Sequence, residues 1–160
     1  MKLSLRKPRF ADAEALSAMC LRSKASWGYP PDFIQACRRD LTLTRDEIRL
    51  GGLIMAERGD TLCGMARLTI DGREAELQML FVEPEQMGRG VGRILFDWCL
   101  SEAVHRRAYR MVLDSDPYAA PFYEKMGAYH AGIAASPTFP GRTLPRMEIM
   151  LRRPPIQMTA

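Results

Sequence analysis

Hydrophobic and polar positions change period twice along the chain. From Asp12, placed to cap a helix, the apolar residues Leu16, Met19 and Cys20 recur at the three- and four-residue spacing of one helical face. Trp27-Gly28-Tyr29-Pro30-Pro31 interrupts that pattern, and Phe33, Ile34 and Cys37 mark a second short helix with Pro31 in its first turn. Thr44 followed by Glu47 has the spacing of a capping box and predicts one further helical turn. The period then becomes two. Leu53 to Glu57 and Leu62 to Ile70 flank Arg58-Gly59-Asp60, Asp71-Gly72 predicts a tight turn, and Glu74 to Val82 reads as the third strand of a meander. In that strand alternation puts Ala75, Leu77, Met79 and Phe81 on one face and Glu76, Gln78, Leu80 and Val82 on the other.

A helical period returns after Gly88-Arg89-Gly90-Val91-Gly92, where Val91, Ile94, Leu95, Trp98 and Ala103 form the expected buried stripe. Arg110 to Leu113 is a short apolar strand, and Pro117 to Met126 a helix stopped by Gly127. Strands at about Tyr129 to Ala134 and Met147 to Leu151 enclose a loop from Ser136 to Arg146, and Lys2 to Lys7 opens the chain as a strand. The strand-helix-strand unit in the second half requires a right-handed crossover, hence local parallel pairing inside a mixed sheet.

At 160 residues the chain suits a single domain, taken as 1–153 with a loose tail from 154 to 160. Hydrophobic residues at 47% and charged residues at 26% exclude a disordered reading. No apolar run reaches the roughly 20 residues that span a bilayer, and the start lacks an apolar signal stretch, so a cytoplasmic protein without membrane partners is expected. Cys20, Cys37, Cys63 and Cys99 are widely spaced in apolar segments and read as buried thiols; with only His105 and His130 beside them, no metal is expected. The net charge of +4 is dispersed, which suits an anionic small molecule and argues against nucleic acid.

Gly88, Gly90 and Gly92 at a helix entrance expose several backbone N–H groups, and the helix end adds partial positive charge. A phosphate fits there, beside Arg89 and Arg93. A plain turn with glycines for tight packing is the alternative. The dinucleotide fingerprint would need glycine where Arg93 stands, and the Gly-Lys-Ser/Thr of a P-loop is absent.

Met87 to Gly92, preceded by the strand LQMLFVEP, resembles the acetyl-CoA pyrophosphate loop of the GNAT N-acetyltransferase superfamily, written [Q/R]xxGx[G/A], with Met87 in place of Gln or Arg. Asp116 to Ala128, DPYAAPFYEKMGA, resembles the later motif NxxAxxFYxxxGF, with Asp116 replacing Asn and Ala128 replacing Phe. The resemblance implies an α/β (α+β) fold with a mixed, mostly antiparallel sheet of six or seven strands, about four helices, and central strands that splay to admit pantetheine. It implies acetyl-CoA as cosubstrate and an amine acceptor as partner, with direct acyl transfer through a tetrahedral intermediate. A homodimer, common in the family, stays open, as does a non-catalytic acyl-CoA sensor on the same fold.

By the same resemblance, cofactor contacts fall on Leu80, Phe81, Val82, the loop Met87, Gly88, Arg89, Gly90, Val91, Gly92 and Arg93, and on Asp116, Ala119, Phe122 and Tyr123. Tyr123 matches the family tyrosine that faces the thioester sulfur and is the expected general acid. Glu76 corresponds to a base that acts through water in some members; a solvated strand glutamate is the alternative. The acceptor side falls on Trp27 and Tyr29 with Arg142, where aromatics and one guanidinium can hold an amine that carries a carboxylate. Core or dimer surface is the competing reading of those three residues.

Overall fold

The computed structural model describes residues 1–151, so the tail expected from 154 lies outside the described residues. Seven strands form one sheet in the order β1-β2-β3-β4-β5-β7-β6. They are β1 (Leu3–Arg6), β2 (Leu53–Arg58), β3 (Thr61–Asp71), β4 (Glu74–Val82), β5 (Arg110–Asp114), β6 (Tyr129–Ala135) and β7 (Thr143–Met150). Among the described residues only β4 and β5 pair in parallel, across the crossover helix that joins them. Five α-helices accompany the sheet: α1 (Ala13–Ala25), α2 (Pro31–Leu41), α3 (Arg45–Leu50), α4 (Val91–His105) and α5 (Ala120–Lys125). Among the described residues no helix is long and apolar enough to cross a membrane.

Apolar residues gather in two clusters. Leu95, Phe96 and Cys99 of α4 pack with Ala66 and Leu68 of β3 and Met111 and Leu113 of β5. Leu16, Met19 and Cys20 of α1 pack with Met55, Met65 and Met79. The sheet thus buries both faces along β2 to β4, and α1 and α4 lie on opposite sides of it. All four cysteines are buried and free, as expected.

The capping box closes as predicted: Thr44 Oγ1 accepts from Glu47 N–H, while Glu47 Oε2 accepts from Thr44 N–H at 2.7 Å. Asp12 does not cap α1. Its carboxylate accepts from the Arg9 N–H at 2.7 Å and from the Arg6 guanidinium, so it closes the preceding 3-10 turn and anchors it to β1. The stripe on α4 is Val91, Leu95, Phe96, Cys99 and Ala103; Ile94 faces outward, 40% exposed, because the helix rotates Phe96 into the sheet instead. The meander turn lies one residue later than expected, with Asp71 paired to Glu74 and Gly72-Arg73 forming the loop. Helix α5 starts at Ala120, since Pro117 to Ala119 are used in a turn, and β7 starts at Thr143, which shortens the loop before it.

The alternation expected for β4 is broken. Arg67 pairs with Met79 but Leu68 pairs with Leu77, so Gln78 is an extra residue without a partner on β3. Side-chain parity reverses there. Ala75 and Leu77 face α4, as do Leu80 and Val82, whereas Met79 and Phe81 face the α1 cluster. Glu76 therefore does not share a face with Leu80.

Candidate functional site

Strand β4 stays paired to β5 for three rungs only, ending at Glu76 with Val112. Beyond Glu76 the two strands part, and β5 turns its other edge to β7 over five rungs from Arg110 to Asp114. The β5-facing edge of β4 is left without a strand partner, and a cavity of ≈ 460 Å³ occupies the gap. Buried backbone polar groups require partners, so this edge is a place for an extended, amide-bearing ligand.

The rim of the cavity is the glycine loop. Gly88 and Gly90 hold φ of 75° and 81°, a left-handed backbone, and a Cβ on either would meet only open space. They are glycine for conformation, not for packing against a neighbour. The first intrahelical bond of α4 runs from Ile94 N–H to Gly90 O, and the N–H groups of residues 88 to 93 donate to no backbone carbonyl among the described residues. Six consecutive free donors at a helix N-terminus make an anion site. Gln86 Oε1, at the start of the loop, is a buried acceptor without a partner among the described residues, which adds a polar position on the same wall. These features fit a diphosphate followed by an amide chain.

Of the residues expected to bind cofactor, Leu80, Phe81, Val82, Met87, Gly88, Gly90, Val91, Gly92, Arg93, Asp116, Ala119, Phe122 and Tyr123 line this one cavity, and Trp27 joins them. Arg89 is exposed beside the loop and off the wall. Glu76 is exposed on the α1 side of the sheet, below the opening, and also lies off the wall. Tyr29 and Arg142 stand behind the wall, joined to it through Asp116. Sequence reasoning missed Ser23 and Lys24 on α1, Leu77, Gln78 and Met79 around the bulge, Gln86, Leu113 and Asp114 on β5, Met126 and Leu144. Lys24 carried no motif; only its position one helical turn past Cys20, at the end of the buried α1 face, hinted at it.

Tyr123 sits on α5 against Phe96 and Phe122, only 7% exposed, and its hydroxyl bonds to no described residue. Burial first, then the neighbouring Cys99 and Asp116, push its phenol well above the ordinary value. It stays a neutral donor facing the cavity. Asp116 follows β5 and accepts from Lys24 Nζ, from Tyr29 Oη at 2.9 Å and from Tyr118 N–H at 2.9 Å. Burial opposes its ionisation, but the Lys24 ammonium and the other donors outweigh this and hold the carboxyl below the usual range. Tyr29, whose hydroxyl also accepts from Arg142 Nη2 at 2.9 Å, is pushed up to about 12 by burial and by its bond to Asp116.

Solved structures share this architecture. PaiA N-acetyltransferase from Thermoplasma acidophilum, in complex with coenzyme A, superposes with a TM-score of 0.79 at 20% identity, covering 94% of this chain and 99% of that one. A GCN5-related N-acetyltransferase from Rhodopseudomonas palustris gives 0.80 at 22% identity, over 94% and 97%. The yncA protein of Salmonella typhimurium, with its cofactor acetyl-CoA, gives 0.68 at 18% identity over the full length of both chains. No curated protein matches in sequence. Residues 19–128, more than half of the chain, match the acetyltransferase (GNAT) family, and with the bulged, parted strands and the glycine loop in place the chain belongs to that family.

Proposed function

We propose that this chain is an acetyl-CoA-dependent N-acetyltransferase that passes the acetyl group to a primary amine by direct attack. The observation that supports it is the meeting, in one cavity, of the free amides of Gly88 and Gly90 to Arg93 at the start of α4, an unpaired β4 edge and the unbonded Tyr123 hydroxyl. Acetyl-CoA supplies the acyl group as a thioester, activated toward an amine.

The chain's part is positioning and charge stabilisation. The N–H groups of residues 88 to 93, with Arg89 and Arg93 alongside, hold the diphosphate. The edge at Leu80 to Val82 offers main-chain partners to the pantetheine amides and donors to the acyl oxygen as it gains charge. Tyr123, a protonated phenol on the cavity wall, donates a proton to the departing sulfur. Glu76 lies off the cavity wall, so its carboxylate takes the amine proton only through intervening water.

Calorimetry with coenzyme A and acetyl-CoA, followed by thiol release with an amine panel, tests this reading. Saturable binding of both and amine-stimulated thiol release are expected. No heat with either ligand refutes the assignment, and binding without stimulated release leaves a sensor on the same fold.

A further inference from the structure

A second polar centre, around Lys24 and Asp116, lies on the wall of the same cavity. Two segments remote in sequence meet on the Asp116 carboxylate, the end of α1 with its following loop, through Lys24 and Tyr29, and the β6–β7 loop, through Arg142, while the turn after β5 adds the Tyr118 N–H. The groups are largely removed from solvent, with the Lys24 side chain 14% and the Asp116 side chain 11% exposed. Tyr29 stacks on Phe33 at 4.1 Å between ring centroids, Phe33 stacks on Phe139 at 4.3 Å, and the Arg142 guanidinium lies 4.9 Å from the centre of the Phe33 ring. Arg142 is thereby fixed in place by stacking as well as by Tyr29.

A donor and acceptor inventory shows what this centre can bind. The two Asp116 oxygens already accept from an ammonium, a phenol and a backbone amide, with Arg142 Nη2 3.9 Å behind. Tyr29 has given its one proton to Asp116 and accepts from Arg142. The acceptor capacity is therefore largely spent. Lys24 uses one of three N–H groups and Arg142 one of five among the described residues. Two cations face one carboxylate, and Asp114, the other carboxylate on the wall, lies 3.4 Å from Arg146. The centre offers hydrogen-bond donors and one net positive charge in a site walled by Trp27 and stacked aromatic rings. An anion fits there and a second cation does not.

On this basis, and resting on the acetyltransferase reading, we infer that the acceptor is a primary amine that also carries a carboxylate, held by Lys24 with Arg142 behind it. Asp116 is the positioning residue: it aims the Lys24 ammonium into the cavity and, through Tyr29, fixes Arg142. Asparagine at 116 would lack the charge to hold both cations at once. The amine end of the acceptor then shares one cavity with the β4 edge and Tyr123.

The test uses the full chain with acetyl-CoA and two amine pairs, alanine with alaninamide and phenylalanine with phenylalaninamide. The acids should exceed their amides in kcat/KM by about ten- to a hundredfold, the worth of a charge-assisted hydrogen bond. The lower basicity of the amide's amine works against that order, so the bias of the comparison is unfavourable to the inference. Lys24→Gln should bring the ratio close to one through a higher KM for the acids, and Lys24→Arg should restore most of it. Coenzyme A affinity, read by calorimetry on each variant, should stay within about twofold of the unsubstituted chain. Amides used as well as acids overturn the inference, as does a Lys24→Gln variant that loses coenzyme A affinity while keeping the acid preference. Loss of coenzyme A binding by the unsubstituted chain is a different result and strikes the acetyltransferase reading instead.

Discussion

Replacing Gly64 with alanine forces a methyl group between the end of β4 and the first turn of α4. A Cβ at that position would lie 2.8 Å from the Phe81 carbonyl oxygen, 3.0 Å from Leu95 Cδ1 and 3.1 Å from Val91 Cγ1. Unstrained contacts between carbon atoms need about 3.5 to 4.0 Å, so roughly half an ångström must be found on three sides at once. Leu95 can give through its rotamers, but Phe81 O is backbone and cannot turn away. Overpacking of this kind costs about 1–3 kcal/mol, and the reduced freedom of the unfolded chain returns about 0.4–1 kcal/mol. The net loss of about 1–2 kcal/mol corresponds, for a domain of this size, to a Tm lower by roughly 2–8 °C. The same displacement separates Val91, which opens α4, from Phe81, which belongs to the free β4 edge. Coenzyme A should therefore bind severalfold more weakly. Thermal unfolding followed by circular dichroism, and calorimetry on the same preparation, read the two effects together. A Tm unchanged or raised, with coenzyme A affinity intact, would refute the idea that contact at Gly64 sets the width of the cleft.

Tyr123→Phe removes a hydroxyl that bonds to no described residue, so Tm should move by less than about 2 °C while kcat for acetyl transfer falls roughly a hundredfold. An unchanged kcat would remove Tyr123 from proton transfer to sulfur. Acid stability tests the link between β1 and the turn before α1. Hydrogen bonding to Arg6 lowers Asp12 from 3.8 to about 2 in the folded chain, so the ionised carboxylate favours folding. That contribution is complete above about pH 4 and disappears as pH falls through about 2. Asp12→Asn should lower Tm at pH 7 and flatten its decline between pH 5 and pH 2; parallel Tm curves for the two proteins would count against the assignment.

The elements most readable in the chain were those whose signal is local. The Thr44 and Glu47 capping box, the glycines at the entrance to α4 and the apolar face of α1 each depend on residues within one turn of one another, and each stands where expected. Positions decided by distant partners were less readable. Ile94 fits the periodic stripe of α4, yet the helix turns Phe96 inward because Phe122 and Tyr123, more than 20 residues on, complete that part of the core. Asp12 has the spacing of a cap, but the Arg6 guanidinium and the Arg9 amide compete for the same oxygens and win. Most of the cavity wall could be assigned because the two motifs of the family resemblance name it residue by residue. Tyr29, Arg142 and Asp116 were named from the resemblance, but not that they meet, and Lys24 was missed, since the four become neighbours only after three loops have closed and no local pattern marks a lysine that ends up beside a carboxylate 92 positions away.

The bulge at Gln78 connects these observations. A regular β4 would keep Leu77, Met79 and Phe81 on one side and would run parallel to β5 along its full length. With one unpaired residue the strand bends and its twist increases, while β5, tied to β7 over five rungs, keeps its course. The last rung between them, Glu76 with Val112, comes two residues before the bulge, so the strands diverge where β4 changes direction. The same residue reverses parity, which places Leu80 and Val82 beside α4 and sends Met79 and Phe81 to α1. Cleft and glycine loop thus have separate causes. The loop's amides follow from Gly88 and Gly90 and from the unpaired start of α4, and they would bind an anion on a flat sheet as well. The cavity beside the loop exists because β4 carries one residue more than β3 can pair.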